Sequence, residues 1–230
     1  MPRIAVIIPA YNEASSIGPV LRDIPGGLVS EIIVVDNNSS DDTAKVAKEN
    51  GATVLFQPER GYGNACLEGL AYLRTKPAEE KPNIVIFLDG DYSDYPEKMP
   101  ELLYPILNND ADLVIGSRTL GEAEKGSMTI PQVFGNWLAT RLLKRFYKVK
   151  FTDLGPFRAI RYDSLEKLNM QDKTYGWTVE MQLKAAKHKL RCTEVAVPYR
   201  RRIGRSKISG TIKGAVLAGY KILYTLFRYR

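Results

Sequence analysis

Three short segments carry carboxylates and amides in spacings suited to a phosphorylated ligand and a hard cation: Pro9-Ala10-Tyr11-Asn12-Glu13, Asp36-Asn37-Asn38 and Asp89-Gly90-Asp91. In the third, Gly90 alone separates two carboxylates, so the backbone can turn and bring both to one Mg²⁺ or Mn²⁺. Such an ion typically keeps positions open for phosphate oxygens. The competing reading of any single acidic pair is a solvated loop. Position favours the site, because each segment closes an apolar run, and open α/β sheets bind ligands beyond the carboxyl ends of their strands. A fourth segment, Arg60-Gly61-Tyr62-Gly63-Asn64, opens a helical stretch. Glycine there permits close backbone approach and N–H groups suit anions, although a plain loop-to-helix turn needs the same residues. Cations lie further on: Arg118 in Gly116-Ser117-Arg118, and Arg202 and Lys207 in the basic, glycine-containing stretch 199–209.

The elements that must position these groups are legible from periodicity. β-Branched apolar runs at 4–8, 31–36, 52–56, 84–89 and 112–116 alternate with helical stretches at 14–24, 41–50, 61–74 and 97–108. That alternation predicts an α/β fold with a mostly parallel sheet and helices on both faces. Runs as continuous as Ile84-Val85-Ile86-Phe87-Leu88 fit strands covered on both sides. Beyond residue 116 the pattern predicts helices over 131–147 and 178–188, a strand over 192–198, and a final helix over 210–229.

The chain has 230 residues, 33 Lys+Arg against 26 Asp+Glu, and a net charge of +7. Residues 1–124 hold 10 basic and 20 acidic side chains (−10) and residues 125–230 hold 23 and 6 (+17), so the average conceals two opposite fields. With 44% hydrophobic residues and two isolated cysteines, Cys66 and Cys192, disordered, collagen-like, disulfide-scaffold and zinc-site readings are excluded. Residues 1–4 lead into an apolar run without the charged and cleavable regions of a secretory signal, so a cytoplasmic protein is expected. The stretch 208–227 is interrupted by Lys213 and Lys221, which argues against a membrane span. Lys213, Lys221 and Arg228 instead fall on one narrow face of an otherwise apolar helix, as in a helix lying in a bilayer interface with its cations at the headgroups. Packing on the protein itself or across a homo-oligomer is the other use of such a helix. Arg141, Lys144, Arg145 and Lys148 form a second basic element, equally readable as a solvated face. Nucleic acid is disfavoured as a partner: the positive charge accompanies continuous apolar faces, and the strand-end acids would repel phosphate unless a metal intervened.

Taken in order, Pro9-Ala-Tyr-Asn-Glu13, Val34-Val-Asp-Asn-Asn-Ser-Ser-Asp-Asp-Thr43, Asp89-Gly-Asp91, Gly116-Ser-Arg118 and Arg202-Ile-Gly-Arg-Ser-Lys207 resemble the motifs of family 2 glycosyltransferases, in particular the dolichyl-phosphate mannose and glucose synthase branch. The resemblance covers nearly the whole chain. It implies a GT-A fold, a UDP- or GDP-sugar donor, Mg²⁺ or Mn²⁺, and inversion at the anomeric carbon. By the same resemblance Pro9, Ala10, Tyr11 and Glu13 contact the nucleotide, Asp36 accepts a hydrogen bond from the base, and Gly61 belongs to a glycine-containing helix start. Asp89 would face ribose and metal, and Asp91, across Gly90, would be the main metal ligand. Arg118, Arg202 and Lys207 would contact phosphates, and Glu180 would lie near the sugar. The implied organisation is a GT-A domain over 1–209, with donor and metal groups in 1–124 and acceptor groups in 125–209, followed by an amphipathic helix over 210–230.

Two positions depart from the family: Gln132 stands where an acceptor-phosphate Arg is common, and Ser93 stands where Gln is common near the metal. An anionic acceptor such as a polyprenyl phosphate needs cations and no strong base, whereas a hydroxyl acceptor needs a positioned carboxylate. Asp153 and Glu180 are the candidates for that base. The basic second half favours the anionic acceptor, transferred to at the cytoplasmic face of a membrane by a peripherally bound enzyme. His188, among Lys187 and Lys189, reads as a surface residue.

Overall fold

The apolar runs become the middle of one seven-stranded sheet. The computed structural model describes residues 2–204 together with Tyr220, Lys221, Tyr224, Thr225 and Arg228. Strands β1 (Ile4–Ala10), β2 (Glu31–Asp36), β3 (Thr53–Phe56) and β4 (Ile84–Phe87) run parallel in the order β3-β2-β1-β4. Next come β6 (Arg158–Arg161), antiparallel to both of its neighbours, β5 (Leu113–Ser117), and β7 (Cys192–Ala196), parallel to β5. The result is the expected α/β fold with a mostly parallel sheet.

Successive side chains of each strand point to opposite faces of the sheet, and in the central strands both faces are buried. Ile4, Val6, Ile8, Val34, Ile84 and Ile86 pack under α1 (Ile17–Asp23), α2 (Thr43–Glu49) and α4 (Met99–Leu107). Ala5, Ile7, Ile33, Val35, Val85 and Phe87 pack under α3 (Tyr62–Thr75), α5 (Ile130–Tyr147), α6 (Tyr162–Leu168) and α7 (Trp177–Lys187). Full burial of each large aliphatic side chain stabilises by about 1.5–3 kcal/mol, so a sheet covered on both faces can carry polar loops at its edge.

Two elements escape the sequence pattern. β6 is only four residues long with Arg158 and Arg161 at its ends, so it shows no apolar run, and α6 follows it directly. Arg158 is nevertheless fully buried. It remains there by donating to the carbonyls of Leu154, Gly155 and Thr178, while burial lowers its guanidinium pKa to about 10. α1 begins at Ile17, later than periodicity suggests, because Ser16 folds back through its hydroxyl onto the Glu13 carboxylate at 2.9 Å. α5 starts in a capping box: Thr129 N–H donates to Gln132 Oε1 at 2.8 Å, and the Thr129 hydroxyl accepts from the Gln132 backbone. Gln132, at the family's acceptor-arginine position, is therefore a helix-start residue here.

Among the described residues no helix is long and apolar enough to cross a membrane. Tyr220, Lys221, Tyr224, Thr225 and Arg228 are helical, and the rest of the predicted 210–230 helix lies outside the described residues. The described part places Lys221 against the protein, in keeping with the second of the two uses considered for this helix. Lys221 Nζ lies 3.2 Å from Asp172 Oδ2 and Thr225 is buried, whereas Tyr220 and Tyr224 face outward. A cation beside a carboxylate on the protein gains an ion pair that a headgroup would otherwise supply, so Lys221 is turned inward.

Candidate active site at the strand ends

β1, β2 and β4 are adjacent and parallel, so their carboxyl ends emerge at one edge. Ala10 pairs with Asp36 across β1 and β2, and Ile7 with Phe87 across β1 and β4. Each of the three loops turns at once through a residue with positive φ: Asn12 at 53°, Asn38 at 63° and Tyr92 at 64°. Asparagine tolerates this conformation; a tyrosine held there is an outlier that its surroundings must enforce.

Arg200 supplies those surroundings. Its guanidinium lies 3.4 Å from the Tyr92 ring centroid and 4.2 Å from that of Tyr95, while the Tyr92 hydroxyl donates to Asp23 at 2.6 Å. Arg200 also donates to the carbonyls of Tyr92 (2.7 Å) and Asp94 (3.1 Å). The backbone of 200–203 runs beside this loop, with Arg200 N–H donating to Ser93 O and Ile203 N–H to Asp91 O, both at 3.0 Å. Arg200, within the basic stretch 199–209, is thus a built-in clamp. Arg201 remains exposed, bonded to Glu124 and Lys125.

That pairing aims Arg202 into the acids. One of its guanidinium nitrogens lies 3.0 Å from Asp91 Oδ2 and another 2.6 Å from Glu13 Oε1. Its Nε is buried without a hydrogen-bond partner. Asp91 Oδ1 accepts from both the backbone N–H and the hydroxyl of Ser93, so the residue at the family's Gln position fixes the rotamer of the neighbouring carboxylate. Asp89 Oδ1 is buried and unpartnered, and burial first, then the nearby Asp91 charge, raises its pKa to about 7. Both carboxyl oxygens of Asp94 are likewise buried and unpartnered, and burial, then Asp89 and Asp91, drives this carboxyl well above its usual range. Sequence reasoning missed Asp94; its signal was a third acid three residues after Asp91 in the same strand-end loop.

Among the described residues no three His, Cys, Asp or Glu groups form a metal-holding cluster. The Asp89–Asp91 pair still fits a Mg²⁺ or Mn²⁺ ion. Such ions usually take one or two carboxylates and complete their shell with phosphate and water oxygens, and Asp89 Oδ1 is a buried acceptor that no hydrogen bond satisfies.

The donor-side residues fall around this pair. Asp36 is buried at the end of β2, where its Oδ1 accepts from Ser39 N–H at 3.1 Å. Pro9 and Ala10 close β1, Gly90 is buried between the two acids, and Tyr11 lies under the Arg60 guanidinium at 4.4 Å. Gly61 has a different use from the anion cradle considered above. Its φ is 149°, and a Cβ there would stand 2.2 Å from the Lys173 carbonyl oxygen. The Gly61 N–H goes to Asn37 Oδ1 at 2.7 Å, and those of Gly63 and Asn64 go to Thr174 O and Lys173 O. These donors are spent on Asn37 and on the 173–174 backbone, so the helix start is not an open phosphate site.

Three acceptor-side expectations change. Arg118 donates from its backbone N–H, Nε and Nη2 to the two oxygens of Asp153 at 2.7–2.8 Å. Burial opposes the Arg118 charge, and the Asp153 bonds more than offset it, raising its pKa. Arg118 is therefore committed to Asp153 rather than poised for a phosphate, and Asp153 is committed in turn and is no free base. Glu180 is fully buried, takes N–H donors from Gln171 and Asp172 and pairs with Lys184 at 2.7 Å, so it organises the 171–172 turn instead of lying open beside a sugar. Lys207 lies outside the described residues.

Comparison with known proteins agrees with this geometry. The family model described as Glycosyl transferase family 2 matches residues 5–169. An uncharacterized glycosyltransferase of Mycobacterium tuberculosis is 34% identical over 218 residues, 94% of each chain. Undecaprenyl-phosphate mannosyltransferase of Micrococcus luteus is 29% identical over 224 residues, 92% of this chain and 90% of its own. Among solved structures, M. tuberculosis glucosyl-3-phosphoglycerate synthase, in complex with Mn²⁺, UDP and phosphoglyceric acid, superposes with a TM-score of 0.77 over 99% of this chain and 78% of that one; at 23% identity this is a likeness of fold. With the family match spanning most of the chain and running through every strand-end loop described above, the protein belongs to glycosyl transferase family 2 and is a nucleotide-sugar glycosyltransferase.

Proposed function

We propose that this enzyme transfers one sugar, with inversion, from a UDP- or GDP-sugar to a polyprenyl phosphate at the cytoplasmic face of a membrane, as in the dolichyl-phosphate branch. The observation that carries the acceptor class is the state of the two carboxylates that the sequence offered as bases near an acceptor: Asp153 is bound by three Arg118 donors, and Glu180 is buried under N–H donors and Lys184. A hydroxyl acceptor needs such a base, whereas a phosphate oxygen is already anionic. The M. luteus relative and the +17 charge of residues 125–230 support the same acceptor.

In this reading residues 1–124 bind the donor and residues 125–209 the acceptor. Glu13 and Asp36 orient the nucleotide. Asp89 and Asp91 would hold Mg²⁺ or Mn²⁺, which, when bound, offsets charge on the leaving nucleoside diphosphate. Arg202, at Asp91 and Glu13 in the structure, exchanges a carboxylate for a phosphate oxygen once substrates enter; Lys207 serves the same anions.

The test is a donor panel with Mn²⁺, run with and without polyprenyl phosphate and read as nucleoside diphosphate release. Release that depends on the lipid phosphate supports the reading. Equal transfer to a sugar or glycerate hydroxyl without lipid, the chemistry suggested by the glucosyl-3-phosphoglycerate synthase neighbour, overturns it.

A further inference from the structure

Among the described residues, α5 carries four exposed large apolar side chains on one face. Ile130, Val133, Phe134 and Trp137 are 86, 50, 59 and 51% exposed. Their spacing of three, four and seven residues from Ile130 places them in one stripe along the helix. Scattered apolar side chains on a surface are ordinary, but a contiguous stripe marks a contact. The stripe is rigidly mounted. On the opposite side Ala139 and Leu143 are buried, and Asn136 ties α5 to the 152–154 turn by donating to Thr152 O at 3.0 Å and accepting from Leu154 N–H at 2.8 Å.

Charge identifies what covers it. The Arg141 guanidinium lies 5.5 Å from the Trp137 ring centroid, and Lys144, Arg145 and Lys148 follow, all exposed. The α5 sequence contains no Asp or Glu. We propose that α5 is the face by which the enzyme docks on an anionic bilayer. Ile130, Val133, Phe134 and Trp137 enter the boundary between headgroups and acyl chains, and Arg141, Lys144, Arg145 and Lys148 meet lipid phosphates. A second copy of the chain fits poorly, because a two-fold interface apposes the same patch to itself and would confront this acid-free helix with its own cations. The proposal extends the function above by naming the surface that brings the enzyme to a membrane-held acceptor.

The two tryptophans make the test specific, since Trp177 is only 1% exposed and an emission change on membrane binding reports Trp137. The full chain is mixed with phosphatidylcholine vesicles, with and without phosphatidylglycerol, at physiological salt. Flotation and Trp quenching by brominated acyl chains are measured for wild type and for Ile130→Glu/Phe134→Glu, two exposed positions outside the strand-end site. The expected result is flotation on the anionic vesicles with a blue shift and quenching of Trp137, reduced at least about tenfold in the double variant. No flotation, flotation retained by the variant, or an oligomer dissolved by the same substitutions without any Trp response to lipid each overturns the proposal. Nucleoside diphosphate release with acceptor in detergent micelles is expected to be equal in the two proteins. Loss of lipid-dependent release in wild type would count against the acceptor reading and leave the flotation result to judge α5 separately.

Discussion

Two arginine–carboxylate junctions at the ends of the sheet's strands differ in how completely they are satisfied. Arg118 gives three donors to one fully buried carboxylate, Asp153, and its side chain is only 10% exposed. Arg202 divides its guanidinium between Asp91 and Glu13, keeps a buried Nε unpartnered, and has a side chain 24% exposed. The first arrangement is structural: losing a partner strands a buried charge. The second can trade a carboxylate for a phosphate oxygen at modest cost. Residue type did not distinguish them; the number of donors already spent does.

The largest effect is expected at Asp91. Asp91→Ala should lower turnover about a thousandfold or more while the circular dichroism melt stays near wild type; a variant with wild-type rate would remove Asp91 from the metal role. Next is Asp153→Ala, which leaves Arg118 buried and uncompensated and should cost about 3–5 kcal/mol in urea unfolding. Arg202→Ala provides the contrast. Stability should change by no more than about 1 kcal/mol, yet turnover should fall roughly 10–100-fold through lost charge-assisted bonds. If Arg202→Ala unfolds the protein as readily as Asp153→Ala, the two junctions are alike and the comparison fails.

A pH series sharpens the same point at Asp89. Burial and the Asp91 charge lift this acid from 3.8 to about 7, so the folded protein holds its proton more tightly than the unfolded chain does. Its contribution to stability therefore declines as pH rises from about 4 to about 7 and is level above. Unfolding measured across that window should show the decline in wild type and a shallower one in Asp89→Asn, where Asp94, itself raised by burial, still contributes. Metal affinity should move the other way, strengthening as pH rises to about 7, because proton and cation compete for one carboxylate. The smallest effect is expected from Arg200→Ala, which releases the Tyr92 ring for about 1–2 kcal/mol. It should raise the Mn²⁺ concentration needed for half-maximal rate severalfold with little change in kcat; an unchanged metal requirement would make the clamp dispensable.

The parallel half of the sheet was legible in the sequence because its strands are unbroken β-branched runs, and the strand-end acids because each follows such a run. β6 was not, because a four-residue strand bounded by Arg158 and Arg161 carries no hydrophobic signature and depends on carbonyls brought from Leu154, Gly155 and Thr178. Arg200 likewise carries no local signal within the basic stretch 199–209. Its clamp needs Tyr92, Tyr95 and Asp23, more than a hundred residues away in the chain for each of the three.

The sequence by itself determined the sheet-and-helix alternation, the acids beyond β1, β2 and β4, and the opposite charges of the two halves, since each is set by local periodicity or composition. Tertiary structure alone decided which charges are spent: Arg118 on Asp153, Glu180 on the 171–172 turn, Lys221 beside Asp172, and Arg202 shared between two acids. It also decided that α5 leaves an apolar stripe uncovered. Burial and pairing are properties of what the fold brings alongside a side chain, and a one-dimensional pattern contains the side chain without its neighbours.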